Sequence, residues 1–395
     1  MRLRFLILNT DYSVFLRWLY TQHPRLEKQS YENQMRARND SLFGMADFYS
    51  SNLRRLGHET YDIHANNEFM QTAWALEHGI RLKERGAVRK GLRRALRRPW
   101  GVAAKTSLRR LKPVFGPLFP VPVRQRTWFY DILLAQIKHY HPDVLLNQDM
   151  YNVQPQFLRR IKPYVRMLVG QHAATSLSNA EGFSCYDLVI SSFPPTVEWF
   201  RKRGVPAELS RLGFEPRILS YLNRDEKSIP TSFVGSFGSC HSSRAQLLET
   251  LCARLEIKVW APSVEHLSTN SRIRESYMGQ AWGLEMYRIL CRSQITLNHH
   301  GDIAPYANNC RLYEATGVGS LLITDWKANL HEMFEPGKEV VAYRTPEECA
   351  ELIRYYLEND KERETIARAG QQRTLREHTY YQRMKELVDI LRKYV

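Results

Sequence analysis

The sequence predicts an α/β protein made of two Rossmann-like units, and three observations carry that expectation. Short apolar runs alternate with amphipathic, helix-length segments along most of the 395 residues. Such alternation builds doubly wound parallel sheets with helices on both faces. A polar stretch ending in proline, Asn223 to Pro230 (NRDEKSIP), interrupts the pattern past mid-chain. A new apolar run, Thr231 to Val234, then leads into the glycine turn Gly235-Ser236-Phe237-Gly238-Ser239, as where a second unit begins.

In the first unit, Leu3 to Leu8 reads as a strand. Asn9-Thr10-Asp11-Tyr12 falls at its C-terminal end, where open α/β sheets build their sites. Phe15 to Tyr20 is helical. Ser41 to Leu56 reads as a second helix, with Phe43, Ala46, Phe48, Tyr49, Leu53 and Leu56 largely on one face. Gly57-His58 ends it and Glu59 to His64 is the next strand, completing a βαβ unit. No G-x-G-x-x-G occurs, which argues against a dehydrogenase-like dinucleotide site. A helix over 127–139 is followed by strands at Asp143–Asn147, Val165–Val169 and Asp187–Ile190. Helices at Pro155–Lys162 and Pro195–Lys202 alternate with them. Ala207 to Leu212 leads to Gly213-Phe214-Glu215-Pro216.

The second unit continues with a helix over Ser243–Leu255 and a strand over Ile257–Trp260. A helix over Gly283–Cys291 and a strand over Ile295–Asn298 come next, and Val340–Tyr343 is the last strand. Helices at Pro346–Glu358, Lys361–Gly370 and Leu375–Tyr394 close the chain. The expected domains are 1–225, with a basic insertion at 81–125, then 226–375, with 376–395 as a final helix.

Tyr306 to Asp325 (YANNCRLYEATGVGSLLITD) carries the most specific chemistry. Ser320 to Thr324 reads as a strand buried on both faces. The preceding helix runs from about Cys310 to Thr316, with Asn308 and Asn309 as capping residues and Gly317 and Gly319 at its end. A helix start with free N–H groups and Arg311 in its first turn suits a phosphate. Glu314, three residues on, projects from the same side and suits two ribose hydroxyls. The same spacing also fits a surface Arg–Glu pair.

These residues, with Asn329-Leu330, Phe334-Glu335-Pro336-Gly337 and Glu339-Val340-Val341, resemble the donor-nucleotide half of a GT-B glycosyltransferase, closest to the CgeB-like (spore-maturation type) group. The resemblance implies two Rossmann-like domains facing each other across a cleft, with a nucleotide-sugar in the C-terminal one. It implies transfer of a sugar to an acceptor hydroxyl, and a final helix that crosses back to the first domain. Retaining family-four enzymes carry two glutamates separated by seven residues here. Glu314 matches the second, whereas Tyr306 stands at the first.

On this reading Gly235, Ser236, Phe237 and Gly238 approach a pyrophosphate, with Arg244 one turn into the next helix as counter-charge. A plain tight turn is the competing reading. Trp260 is a candidate for the nucleobase pocket or for core. Tyr277-Met278-Gly279 and Ala281-Trp282-Gly283 are placed along the same cleft. In Asn298-His299-His300-Gly301-Asp302 the adjacent histidines point opposite ways on an extended chain, so no metal site is expected. His299 is assigned to sugar or phosphate. His172, at a strand end, is a candidate catalytic residue because histidine titrates near neutrality. Asp11, Asp149 and Glu215 are candidate bases. Arginine and backbone dipoles stabilise the leaving diphosphate, so neither metal nor other cofactor is required.

The composition is that of a globular protein, 43% hydrophobic and 25% charged. Six scattered cysteines form no CxxC pair and indicate neither a zinc site nor a disulfide framework. The opening apolar run of about five residues reads as a strand and not as a signal sequence. A cytoplasmic protein is expected. Net charge is +16, and the stretch from Arg81 to Lys112 carries +12 of it. Val88, Leu92, Ala95 and Leu96 follow helical spacing there, arginines fill the other faces, and Trp100 lies just beyond. This pattern suits a helix lying on an anionic membrane surface, placing the enzyme beside a glycan, lipid-linked or protein acceptor. A solvated loop is the alternative. A nucleic-acid-binding or scaffold protein on a degenerate enzyme fold is the rival reading, though no nucleic-acid partner is expected for a chain that pairs Arg311 with Glu314.

Overall fold

The computed structural model describes residues 2–80, 127–172, 182–223, 226–238, 241–303 and 305–394. The expected basic helix within 81–125 and Ser239 of the glycine turn lie outside them. In the first half β1 (Arg4–Asn9), α1 (Ser13–Gln22), α2 (Tyr31–Asp40), α3 (Phe48–Arg55), β2 (Glu59–His64) and α4 (Glu68–Glu77) come in order. They are followed by α5 (Thr127–Tyr140), β3 (Val144–Asn147), α6 (Pro155–Ile161), β4 (Met167–His172), β5 (Leu188–Ser191), α7 (Pro194–Arg201) and β6 (Ala207–Leu209).

The second half comprises β7 (Ile229–Val234), α8 (Ser242–Cys252), β8 (Lys258–Trp260), α9 (Arg272–Glu275), β9 (Tyr277–Gly279), α10 (Leu284–Arg292), β10 (Ser293–Asn298), α11 (Arg311–Gly317), β11 (Leu321–Asp325) and β12 (Val341–Tyr343). The chain ends with α12 (Pro346–Glu358), α13 (Asp360–Glu377) and α14 (Tyr380–Leu391).

The strands form two parallel six-stranded sheets, ordered β2-β1-β3-β4-β5-β6 and β12-β11-β10-β7-β8-β9. Strand order reverses between β1 and β3 in the first sheet and between β7 and β10 in the second. Such switch points are where the loops of open α/β sheets part and ligands bind.

Alternation along the strands explains the core. Leu6 and Leu8 face α4, α5 and α6, whereas Phe5 and Ile7 face the opposite side with Phe48 and Leu53 of α3. That second core runs on into the C-terminal domain through Phe214, Tyr287, Leu312 and Leu322. The domains therefore share apolar packing. The final helix crosses back, as the resemblance implied. Tyr380 of α14 meets Phe48 and Tyr49 of α3 at ring distances of 5.3 and 5.6 Å, and Tyr380 N donates to Phe214 O.

Three expected elements differ. Residues 41–47 are not helical: Leu42 and Ala46 take positive φ, and the segment turns toward the second domain. Amphipathic spacing alone did not reveal that Phe48 is buried in the main core whereas Phe43, partly buried, packs with Phe15 and Trp282. Helix α13 passes through Gly370 to Glu377 because glycine lets it lie against the Glu339 carbonyl, where a Cβ would collide. Residues 277–279, not among the expected strands, form the edge strand β9.

Candidate active site

The second sheet's crevice is held together by Arg244. Its guanidinium donates to His299 O from Nη2 (2.6 Å) and Nε (3.1 Å), and to Ser236 O from Nη1 (2.9 Å). It ties the loop after β7 to the loop after β10. The expected counter-charge is therefore a structural clamp, 8% exposed. Gly235 N is used by Trp260 O at 3.0 Å, and Phe237 stacks on Phe233 within the core. A Cβ on Gly238 would meet nothing within 4 Å, so open space stands over that end of the loop.

The start of α8 is already capped by a carboxylate. Asp302 accepts from Ser243 N (3.0 Å) and Ser242 Oγ (2.8 Å), and also from Ser243 Oγ. Burial works to raise this acid, but the serine hydrogen bonds prevail and lower it to about 2. A negative group at a helix start is favoured by the exposed N–H groups. Asp302 was visible in the histidine-rich segment but had no assigned partner.

His299 is also engaged, with Nδ1 2.8 Å from Tyr343 Oη and Nε2 2.9 Å from Ser243 Oγ. Burial depresses its pKa, and Asp325 opposes that. Asp325, unassigned from the sequence, accepts from His300 N (3.0 Å) and Nδ1 (2.7 Å) and pairs with Lys327 at 3.0 Å. Among the described residues no group of three His, Cys, Asp or Glu side chains could hold a metal ion. Trp260 is 9% exposed and belongs to the core with Val234 and Tyr287, so its face is not presented to a base.

Arg311 and Glu314 pair at 2.7 Å on one face of α11. Arg311 Nη2 also donates to Val234 O at 3.1 Å, which places the pair at the end of β7. Asn309 Oδ1 accepts from Leu312 N at 3.3 Å, and its Nδ2 donates to Asn298 Oδ1 at 2.8 Å. Asn308 lines a narrow interdomain cavity with Ala307 and Asn329, opposite Ser192, Pro194 and Arg211 of the first domain. Tyr306 meets Phe193 across the same gap, ring centroids 6.0 Å apart.

The second interdomain contact lies beyond the crevice. Trp282 enters a pocket of the first domain formed by Phe15, Phe43 and Leu19, and Leu284 N donates to Ser41 O at 2.9 Å.

On the first-domain side Asp11 is 3% exposed, bonded by Arg38 at 2.6 Å and 3.0 Å from His64 Nδ1. Burial alone would raise its pKa, but Arg38 and His64 hold it well below the usual carboxylate range. Its carboxylate is thus engaged by two partners inside the fold. Glu215 is 3% exposed and accepts from Asn52 Nδ2 at 2.6 Å. Asp149 is only half-buried, and accepts from Asn152 Nδ2 at 2.6 Å and from Thr10 Oγ1. His172 lies at the end of β4, 2% exposed, with Nε2 2.6 Å from Tyr151 Oη and its ring edge-on to Phe200.

Residues 244–389 match the model of the family described as glycosyl transferase-like. Sucrose-phosphate synthase from Thermosynechococcus elongatus superposes with a TM-score of 0.55 at 11% identity, with 99% of each chain covered. Anabaena Alr3699/HepE, solved in complex with UDP and glucose, gives 0.52 at 12% identity, covering 99% of this chain and 100% of that one. AviGT4, a glycosyltransferase of avilamycin A biosynthesis, gives 0.53 at 13%, covering 99% and 98%. No curated relative matches the sequence. These likenesses identify the GT-B fold over the whole chain. The chain thus has the GT-B fold throughout, and its C-terminal domain, over residues 244–389, matches the glycosyl transferase-like family.

Proposed function

We propose that the chain moves a sugar from a nucleotide-diphosphate donor to an acceptor hydroxyl, without a divalent metal, as a member of the CgeB-like group. The position of the Arg311–Glu314 pair carries this reading. It stands at the switch point of the second sheet, against the carbonyl of Val234, where α/β folds bind nucleotides. On donor binding Arg311 turns to the diphosphate and Glu314 accepts the ribose hydroxyls. The backbone beside Gly238, open to approach, faces the phosphates. Arginine and backbone dipoles then stabilise the charge that develops on the leaving diphosphate. HepE was solved with UDP and with UDP-glucose, which makes a uridine nucleotide the first donor to test.

The test is thermal unfolding with UDP, GDP and ADP sugars in the presence of EDTA. A ligand that binds only the native state raises the melting temperature as its concentration rises. One nucleotide series should do so in wild type and much less in Glu314→Ala. Equal shifts in both proteins, or none with any nucleotide, would refute the assignment. A shift that disappears with EDTA would overturn the metal-independent part alone.

A further inference from the structure

We propose that His78 and His139 form a two-histidine site for a late divalent transition ion, of the class of Zn(II), Ni(II) and Cu(II), which clips α4 to α5. The site lies in the first domain and shares no residue with the nucleotide site proposed above. It stands where the two helices end, His78 just past Glu77 of α4 and His139 in the last turn of α5. The two rings are 4.8 Å apart between centroids and nearly perpendicular, at 82°. An ion about 2.0–2.1 Å from one nitrogen of each ring holds two neighbouring imidazoles roughly 4.5–5.3 Å apart between centroids. The observed spacing falls in that range.

Both rings are already set. His78 lies flat on Trp74, centroids 4.0 Å apart at 14°, and its Nδ1 is 2.8 Å from Trp74 O. A carbonyl only accepts, so Nδ1 carries the proton and Nε2 keeps its lone pair. Donation from the other ring nitrogen to a backbone carbonyl is what orients metal-binding histidines. His139 meets Trp74 and Tyr140 edge-on, at 5.9 and 5.0 Å. Trp74 beneath them is 1% exposed and donates from Nε1 to Tyr140 Oη at 3.1 Å, which fixes the floor under both rings. The histidines themselves are exposed, so an ion enters directly from solvent. As two imidazolium cations the rings would repel each other at this separation. As neutral ligands they share one ion. Imidazole suits zinc, nickel and copper, whereas magnesium and calcium take oxygen ligands. Among the described residues no third histidine, cysteine or carboxylate joins the pair. A two-histidine site leaves other positions to water, so a chelator removes the ion.

Ni(II) titration of the untagged full chain, labelled with 15N at tryptophan and cleared of metal with EDTA, tests this. Paramagnetic Ni(II) broadens signals close to it. One of the eight indole N–H signals, that of Trp74, should lose at least half its intensity at one equivalent, and Mg(II) should leave it unchanged. Zn(II) without nucleotide should raise the melting temperature, because it binds the native state. In His78→Ala and in His139→Ala the broadening should need at least tenfold more Ni(II), and the Zn(II) shift should disappear. Both side chains are exposed, and should one variant fail to fold the other carries the same expectation. Broadening that is the same in wild type and in the folded variants would overturn the site. So would intact indole signals at a tenfold excess of Ni(II).

Discussion

Arg244 and His299 are joined across the second sheet's switch point, with the guanidinium donating twice to the His299 carbonyl at 2.6 and 3.1 Å. A third bond reaches Ser236 O, so one side chain fixes the separation of the two loops that flank the proposed diphosphate position. Arg244→Met keeps the apolar stem but leaves these carbonyls without their donor. It should cost about 1–3 kcal/mol of stability, the range for unsatisfied buried polar groups. Nucleotide affinity should fall with it. Chemical unfolding and nucleotide titration check both; a folded variant with wild-type affinity would show that the loops hold their spacing by other means.

Glu314→Gln tests the charge of the acceptor group while keeping its shape. Replacing a carboxylate that accepts from ribose hydroxyls should weaken nucleotide binding by about 1.5–3 kcal/mol. It also removes the 2.7 Å pair with Arg311, so Arg311 should become more mobile in the free protein. Isothermal titration with the nucleotide found by melting gives the number, and an unchanged affinity would rule out the ribose role.

His378 predicts an acid limb in stability. Burial is the main cause that lowers its pKa to about 4, with Arg383 adding to it, and Nε2 lies 2.8 Å from Met333 O. The folded state keeps this ring neutral, so between about pH 6.5 and 4 the unfolded chain binds more protons. Stability from this group is present above that window and is lost as pH falls through it, by about 3 kcal/mol in full. Because His378 O accepts from Phe214 N, the loss falls on the crossover between domains. His378→Gln retains a donor for Met333 O and should flatten the pH dependence of the unfolding midpoint over this range.

Gly283 stands where the second domain abuts Ser41 of the first. It has φ +52°, and a Cβ there would collide with the Ser41 carbonyl oxygen. Gly283→Ala should cost more than about 1 kcal/mol from backbone strain alone and should break the Leu284–Ser41 bond. Trp282 would then leave its aromatic pocket. A red shift of tryptophan emission together with a larger radius of gyration in solution scattering is the expected result; a variant as compact as wild type would place the contact among the dispensable ones.

The basic segment gives a prediction of its own. Removing 81–112 takes away +12 of the net charge. Co-sedimentation with anionic liposomes should be seen for the full chain at low salt, weaken at high salt, and vanish on deletion, at about 1 kcal/mol per surface cation. Equal sedimentation of both proteins would dismiss the segment as a membrane contact.

Strand positions were legible because each strand buried on both faces is a short apolar run between turn residues. Leu321 to Thr324 and Val144 to Asn147 appear where the sequence puts them. The Arg311–Glu314 relation was equally local, since three residues on a helix place two side chains on one face. By itself, then, the sequence determined the α/β class, the two units, and which residues share a helix face. Periodicity reports the presence of a buried face and not its partner. Only the tertiary structure decided that Arg244 spends its charge on backbone carbonyls, that Asp302 caps α8, and that Trp260 is core. It also decided that Asp11 is locked by Arg38 while Asp149 stays half-open. Those outcomes depend on contacts between residues far apart in the chain, and a side chain's chemistry is set by the groups it meets there.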